Sequence, residues 1–365
     1  MNATPPPSAS APEQVLAELG WDDAWATSAQ DLDVGACLQP ARVVRVDRGL
    51  ATTIGGAGGA RVGYSGRILE AAADDPASGP CVGDWALVAR WTDDRSTLEH
   101  LLPRRSCVTR AQSGGTSHAQ ALAANVTLAA VVVGLDQTPA ITKIERLVAL
   151  AWESGAQPLV LLTKADLAAD AAEIAADVLT SAPGAEVMCC SCVDATGLSE
   201  VRDRLGDGTM ALLGSSGAGK SSLVNALVGA DVLATKEIRA DGRGRHTSVR
   251  RELVVLPGGG CMIDTPGLRG VGLSGGEGIA ATFADVDALA AQCRFNDCSH
   301  ESEPGCAVLA AVEEGTLAVR RLESWRKLQR EAAWVARRTD ARLRAAELRV
   351  WKQRTKGSRG HPKRR

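Results

Sequence analysis

Nine consecutive residues, Gly214, Ser215, Ser216, Gly217, Ala218, Gly219, Lys220, Ser221 and Ser222, have the composition to hold a polyphosphate. Gly214, Gly219, Lys220 and Ser221 fit the spacing G-x-x-x-x-G-K-[ST], between an apolar stretch "MALLG" and a helical one "SSLVNALVG". Glycines let backbone amides turn inward around phosphate oxygens, and the following helix N-terminus adds positive potential. Lys220 is placed to reach the β- and γ-phosphates and Ser221 to coordinate Mg²⁺. A fortuitous Gly-rich turn is the competing reading, and the strand and helix on either side argue against it. In "CMIDTPG" at 261–267, Asp264 ends an apolar run, where a carboxylate can hold the same Mg²⁺ directly or through water, and Gly267 can offer its amide to the γ-phosphate. Taken alone, Asp264 reads equally as the start of a plain Asx turn.

A second set of residues carries a different specificity. Thr163, Lys164, Ala165 and Asp166 end another apolar run, "LVLLTKAD". A carboxylate at Asp166 can accept hydrogen bonds from N1 and N2 of guanine, a pair of donors that adenine lacks, while Lys164 lies across the base. Ser191 and Cys192, which close the next apolar run, can present backbone to the guanine oxygen. Asp166 as an ordinary helix N-cap is the rival reading. Base-reading residues thus precede the phosphate-binding ones in the chain. A parallel sheet gathers its ligand loops at the C-terminal strand ends whatever the order of connection, so the same pocket can arise from a circularly permuted chain.

A third constellation is Cys293-x4-Cys298-x-His300-x5-Cys306. Three thiolates and one imidazole close a tetrahedral Zn²⁺ site with no open position, which makes its expected role structural. Buried free thiols beside a surface His are the alternative. The other seven of ten cysteines are scattered and read as small buried hydrophobes.

Elements must position these groups. From about 120 to 272, apolar runs alternate with amphipathic helical stretches, the pattern of a mostly parallel sheet covered on both faces, an α/β P-loop domain. From about 35 to 110, short alternating segments punctuated by Gly, Asp and Pro predict a small β-barrel, with "GGAGGA" at 55–60 as a hairpin turn. Arg42, Arg45, Arg48, Arg61, Arg67, Arg90, Arg104 and Arg105 give that module either an RNA-facing side or ordinary solvated cations. Residues 1–34 are Ala/Pro/Ser-rich and read as a disordered extension with one short possible helix, "PEQVLAELGW". The expected division is barrel 35–110, permuted nucleotide domain 111–275, helical zinc domain 276–350 and basic tail 351–365. No signal peptide or membrane span is evident, so a cytoplasmic protein with no membrane partner is expected.

Net charge is −2, but Arg320–Arg365 holds 17 Lys and Arg against four acids, so +13 sits in the last 46 residues and −15 in the remainder. Such asymmetry points to a polyanionic partner, RNA foremost.

The order TKAD, GSSGAGKSSLVNAL, GRHTS, DTPGLRGVGL, FNDCSHESEPGCAV resembles the ribosome small-subunit-dependent GTPase A family over roughly residues 35–345. The resemblance implies an OB-like barrel, a circularly permuted GTPase core and a zinc domain, and a role in late maturation of the small ribosomal subunit, with GTP hydrolysis stimulated by that subunit and its rRNA. GTP and GDP, Mg²⁺ and one Zn²⁺ are the implied ligands, and a monomer is expected. Two positions depart from the family pattern: Thr163 stands where Asn is usual, and Ser248–Val249 where threonines are common, which leaves Thr247 as the expected switch hydroxyl on Mg²⁺. Leu268 follows the DTPG turn and cannot orient water by hydrogen bonding, so slow intrinsic hydrolysis is expected. His246 is the nearest candidate to position the nucleophile, and a switch-loop His without catalytic role is the rival. Two other classes stay open at this stage: a P-loop ATPase or kinase, and an RNA-binding protein whose nucleotide site is only regulatory.

Overall fold

The computed structural model describes residues 11–32, 38–111, 119–233, 251–267, 273 and 276–339. Two short helices, α1 (Pro12–Glu18) and α2 (Asp23–Gln30), precede a barrel of five strands, β1 (Leu38–Asp47), β2 (Leu50–Gly55), β3 (Gly58–Tyr64), β4 (Trp85–Arg90) and β5 (Ser96–Leu101), with α3 (Gly66–Asp74) between β3 and β4. β1 pairs with both β2 and β4, closing the order β1-β2-β3-β5-β4 on itself. One strand can serve both partners because its register shifts between Val43 and Arg45, a bulge that bends it around the barrel. Alternate residues Ala41, Val43, Ala51, Val62, Ala86, Val88 and Leu98 fill the interior. The "GGAGGA" stretch is the β2–β3 hairpin, with Gly55 opposite Gly58.

Composition misled at 1–34. Over its described part this extension is helical, because its aromatic residues have apolar surface to cover: Leu19 and Trp25 are buried, and Trp21 packs edge-on against Trp85 of β4 at 4.7 Å. Asp22 caps α2 by accepting from Trp25 N at 2.8 Å.

Several of the barrel arginines are likewise not free for RNA. Arg42 is buried, and Arg104 forks onto the fully buried Asp84 at 2.7 and 2.8 Å. Arg45 pairs with Asp47 and Arg105 with Asp22. Arg48, Arg61, Arg67 and Arg90 remain exposed.

A hairpin of β6 (Cys107–Ala111) and β7 (Ala119–Ala124) leads into the central sheet. There follow β8 (Leu128–Gly134), α4 (Ile141–Glu153), β9 (Gln157–Thr163), α5 (Ala171–Ser181), β10 (Glu186–Cys189), α6 (Leu198–Leu205), β11 (Thr209–Gly214), α7 (Lys220–Val228), β12 (Glu252–Val255) and β13 (Cys261–Asp264). Their spatial order is β10-β9-β8-β11-β13-β12; all pairs are parallel except the edge strand β12, which continues into the barrel by pairing with β1. Strand periodicity sends Val131, Val160, Leu162, Leu213 and Ile263 toward the helix that carries Ile144 and Leu147, and Ala130, Leu159, Leu161, Leu212 and Met262 toward Val201, Leu223 and Val224. α4 thus covers one face, while α6 and α7 cover the other.

Four helices complete the described fold: α8 (Glu277–Thr282), α9 (Ala284–Ala290), α10 (Ala307–Glu313) and α11 (Val319–Thr339). α8 lies on α4 so closely that a Cβ at Gly278 would stand 2.1 Å from the Ala149 carbonyl oxygen, so only glycine is accommodated there.

Candidate nucleotide site and metal cluster

Chain direction reverses between β8 and β11: β9 and β10 are added on one side of β8, and β11 on the other. In such sheets the crevice beyond the C-terminal ends of the diverging strands is where ligands bind. Gly214 ends β11 and Gly134 ends β8, and the two strands pair up to Gly214↔Val132.

The phosphate end is built from buried parts. Every residue of β11 is buried, and the loop after it turns on Gly217 and Gly219, both left-handed at φ 85 and 88. Lys220 opens α7 and folds back so that its Nζ donates to the carbonyls of Gly214 at 3.2 Å and Ser215 at 2.8 Å. Burial holds the Lys220 ammonium below its ordinary pKa, against the opposing attraction of Asp264. Ser221 donates from Oγ to Asp264 Oδ2 at 2.7 Å, which brings the two expected Mg²⁺-holding groups together. Burial raises the Asp264 carboxyl, and its Oδ1 is buried with no hydrogen-bond partner among the described residues. A lone buried carboxylate oxygen beside a serine hydroxyl and a lysine is an incomplete site that a cation completes. Gly267 belongs to the same cradle: a Cβ there would stand 2.8 Å from the backbone nitrogen of Ser216, so a side chain would close the space between the two loops.

At the base end each residue of the four-residue motif is fixed by a different neighbour. The hydroxyl of Thr163 lies 2.7 Å from the Ala218 carbonyl of the phosphate loop and 3.3 Å from that of Val133. The expected departure from the family pattern therefore keeps a direct tie between base and phosphate loops. Lys164 is left-handed at φ 58, with Nζ 2.8 Å from Asp136 Oδ2. Ala165 N donates to the Cys190 carbonyl at 3.2 Å, and Asp166 Oδ1 accepts from Ser191 Oγ at 2.6 Å. Ser191 is buried, whereas Asp166 and Cys192 are exposed at the mouth. Sequence reasoning missed Asp136 and Gly134; the tripeptide Gly134–Asp136 after "AAVVV" was a strand-end signal of the same kind as the others.

His246 and Thr247, like Leu268, lie outside the described residues. Ser222 sits half-buried on the first turn of α7.

The third constellation assembles about 20 residues after the sheet ends. The ligand atoms of Cys293, Cys298, His300 and Cys306 lie within 4.8 Å of one another. Cys293 Sγ is 3.8 Å from Cys306 Sγ, and His300 Nδ1 is 3.5 and 3.4 Å from these two sulfurs. Thiolates bound at about 2.3 Å to one tetrahedral ion stand about 3.8 Å apart, so the donor set fits a single metal ion. The local backbone is committed to this arrangement: His300 is left-handed at φ 58, its ring meets Trp325 at 5.6 Å, and its carbonyl accepts from Arg326 of α11. Cys306 also caps α10, its sulfur accepting from Leu309 N at 3.4 Å.

Residues 101–274 match the family model described as RsgA GTPase. The chain is 47% identical over 344 residues to the small ribosomal subunit biogenesis GTPase RsgA of Streptomyces coelicolor, covering 93% of this chain and 92% of that one. It is 41% identical to the protein of the same name from Opitutus terrae, covering 94% and 97%. Among solved structures it superposes on YjeQ from Thermotoga maritima with a TM-score of 0.59 at 23% identity, covering 81% of this chain and 98% of that one. YloQ, described as a circularly permuted GTPase, gives 0.56 at 21% identity, covering 81% and 95%.

Proposed function

We infer how the pocket works from one premise: this chain belongs to the RsgA GTPase family, with 47% identity to a member over 93% of its length. It is a circularly permuted GTPase that acts in maturation of the small ribosomal subunit. The permuted order moves the base-reading loop ahead of the phosphate loop and leaves the pocket at the β8/β11 crevice.

In the proposed bound state the amides of Ser215–Gly219 surround the β-phosphate, and Lys220 exchanges its two loop carbonyls for β- and γ-phosphate oxygens. Ser221 and Asp264 hold Mg²⁺, whose contribution is to neutralise charge on the phosphates, with Thr247 supplied from the first switch. Gly267 gives its amide to the γ-phosphate. Asp166 reads guanine N1 and N2, Lys164 covers the base, and Ser191 and Cys192 face the guanine oxygen. His246 positions the attacking water, since Leu268 lacks a group that could. Hydrolysis is therefore slow until the small subunit and its rRNA complete the site.

The Cys293–Cys298–His300–Cys306 cluster holds one structural Zn²⁺, and the arginines left exposed on the barrel, α11 and the basic tail contact rRNA. The division at 35–110, 111–275 and 276–350, a cytoplasmic location and a monomeric state belong to the same proposal. No helix among the described residues is long and apolar enough to cross a membrane.

The observation that carries this reading is the buried Ser221–Asp264–Lys220 constellation inside a chain of this family. The test is GTP turnover by the purified protein, alone and with purified small ribosomal subunits, with ATP as control. Slow hydrolysis of GTP raised strongly by subunits, and none of ATP, is expected. Fast turnover indifferent to subunits would overturn the assignment of Leu268 as the handicap. Metal analysis of the same preparation should return one zinc per chain, released by thiol modification; iron, or no metal, would reject Zn²⁺.

A further inference from the structure

Asp136 stands in none of the motifs, yet it lies at the topological switch point, two residues beyond β8. Leu135 N donates to the Thr163 carbonyl at 2.9 Å, which fastens the β8–α4 loop against the base-reading loop. Asp136 Oδ2 then meets Lys164 Nζ at 2.8 Å, with Lys164 and Asp136 side chains 24% and 31% exposed. Gly134 lies beneath the pair. A Cβ built on it would stand 2.5 Å from Asp136 Oδ1, and 3.4 and 3.5 Å from Lys164 Cδ and Cε. The carboxylate and the lysine stem are therefore folded down together over the bare backbone of one glycine.

We propose that Asp136 is a positioning residue for nucleotide binding: it holds Lys164 in the extended pose that covers one face of the base, and Gly134 provides the room. This rests on the reading of Thr163–Asp166 as the base-binding loop. Lys164 needs such a hold. Its ammonium sits on four rotatable bonds, and its backbone already occupies the sparsely populated left-handed region, so nothing else printed for the residue fixes the side chain. Asp136 removes that freedom before nucleotide arrives, which lowers the entropy lost on binding. It also neutralises the cation, so that the stem presents an apolar surface to the ring.

The consequence is a change in binding with no change in chemistry, since Ser221, Asp264 and Lys220 are untouched. The experiment measures GTP turnover and GDP affinity for Asp136→Ala, Asp136→Glu, Gly134→Ala, Lys164→Met and the Asp136→Ala/Lys164→Met double variant, with Asp166→Asn as control. Asp136→Ala should raise KM for GTP and Kd for GDP by about threefold to fivefold, the range of a partly exposed pair, with kcat within about twofold. Gly134→Ala should do the same, because the clash is with the tip of a side chain that can swing away while the fold persists. Asp136→Glu should recover part of the loss, and Asp136→Ala should add nothing in the Lys164→Met background. A kcat that falls with KM unchanged, or a full further loss in the double variant, would overturn the proposal. If Asp166→Asn fails to shift preference from guanosine to xanthosine nucleotides, the base-binding reading itself falls. If it does shift preference while Asp136→Ala and Gly134→Ala leave both constants unchanged, only the role of Asp136 falls.

Discussion

Arg42 and Arg321 join the two flanking parts of the molecule to its central sheet, and they do so by different chemistry. Arg42 sits where barrel, N-terminal helices and sheet meet. Its guanidinium donates to the carbonyls of Gly83 at 3.0 Å, Leu19 and Asn125 at 3.1 Å, and to Thr209 Oγ1 at 3.0 Å, with the Trp85 ring 5.1 Å away. All four acceptors are neutral, and burial lowers its pKa to about 10. Arg321, near the start of α11, donates to Asp285 at 2.7 and 2.8 Å, to Glu145 of α4 at 2.9 Å, and to the carbonyls of Ser181 and Thr282. Against the penalty of burial, its two carboxylate partners hold its pKa above the ordinary value. Glu145 is fully buried, and burial pushes its own pKa up despite Ser324 and Arg321 beside it. A cation held by dipoles and a cation held by anions leave different things behind when removed.

The largest effect is therefore expected at Arg321. Arg321→Met strands a buried carboxylate at Glu145 and should destabilise by about 3–5 kcal/mol, read as a lowered thermal transition. Adding Glu145→Met should return most of it, because an apolar pair of similar volume leaves no buried charge. If the double variant is as unstable as the single, Asp285 and not Glu145 is the group that matters.

Arg42→Met leaves four neutral acceptors without a donor, and about 2–3 kcal/mol is expected. Arg42→Lys should not restore it, since an ammonium cannot span acceptors from three segments as a planar fork does. Full rescue by lysine would mean that charge, and not fork geometry, is what the junction uses.

These two arginines also mark where the sequence was legible. The sheet and its loops could be read because each strand is a continuous apolar run and each motif is local: Gly214–Ser222, Thr163–Asp166 and Cys293–Cys306 are each held within a short stretch. The barrel followed from alternation in the same way. Arg42 lies in a segment, "ARVVRVD", in which three sites with the same local pattern could face solvent, and nothing nearby reveals that residues 83, 125 and 209 converge on one of them. Partners 41, 83 and 167 residues away are a property of the assembled fold. The N-terminal helices were obscured for the same reason, since Trp21 and Trp25 are explained only by Trp85. Asp136 was hidden differently: its partner Lys164 was recognised, but a lone Asp in a strand-to-helix loop reads as a turn former until the backbone brings the two together.

A third arginine sharpens the comparison by having the same partners in water. Arg105 donates to both carboxylate oxygens of Asp22 at 2.6 and 2.7 Å and lies 3.8 Å over the Trp25 ring, but its side chain is 43% exposed and that of Asp22 50%. Bidentate geometry alone would place it beside Arg321; solvent should reduce it to about 0.5–1 kcal/mol, salt-sensitive and the smallest of the three. The hydrogen bond from Arg105 is the main cause that lowers the Asp22 pKa from its ordinary 3.8, with the backbone amide of Trp25 adding to it. A depressed carboxyl adds stability above its unfolded pKa and loses it as pH falls through the folded value. The difference in stability between the wild type and Arg105→Ala should therefore be constant near neutrality, shrink as pH drops below 3.8, and leave only the stacking on Trp25. A difference that persists undiminished in acid would assign the contribution of Arg105 to Trp25 alone, and one as large as that of Arg321 would mean that exposure, which separates these two bidentate pairs, does not govern their strength.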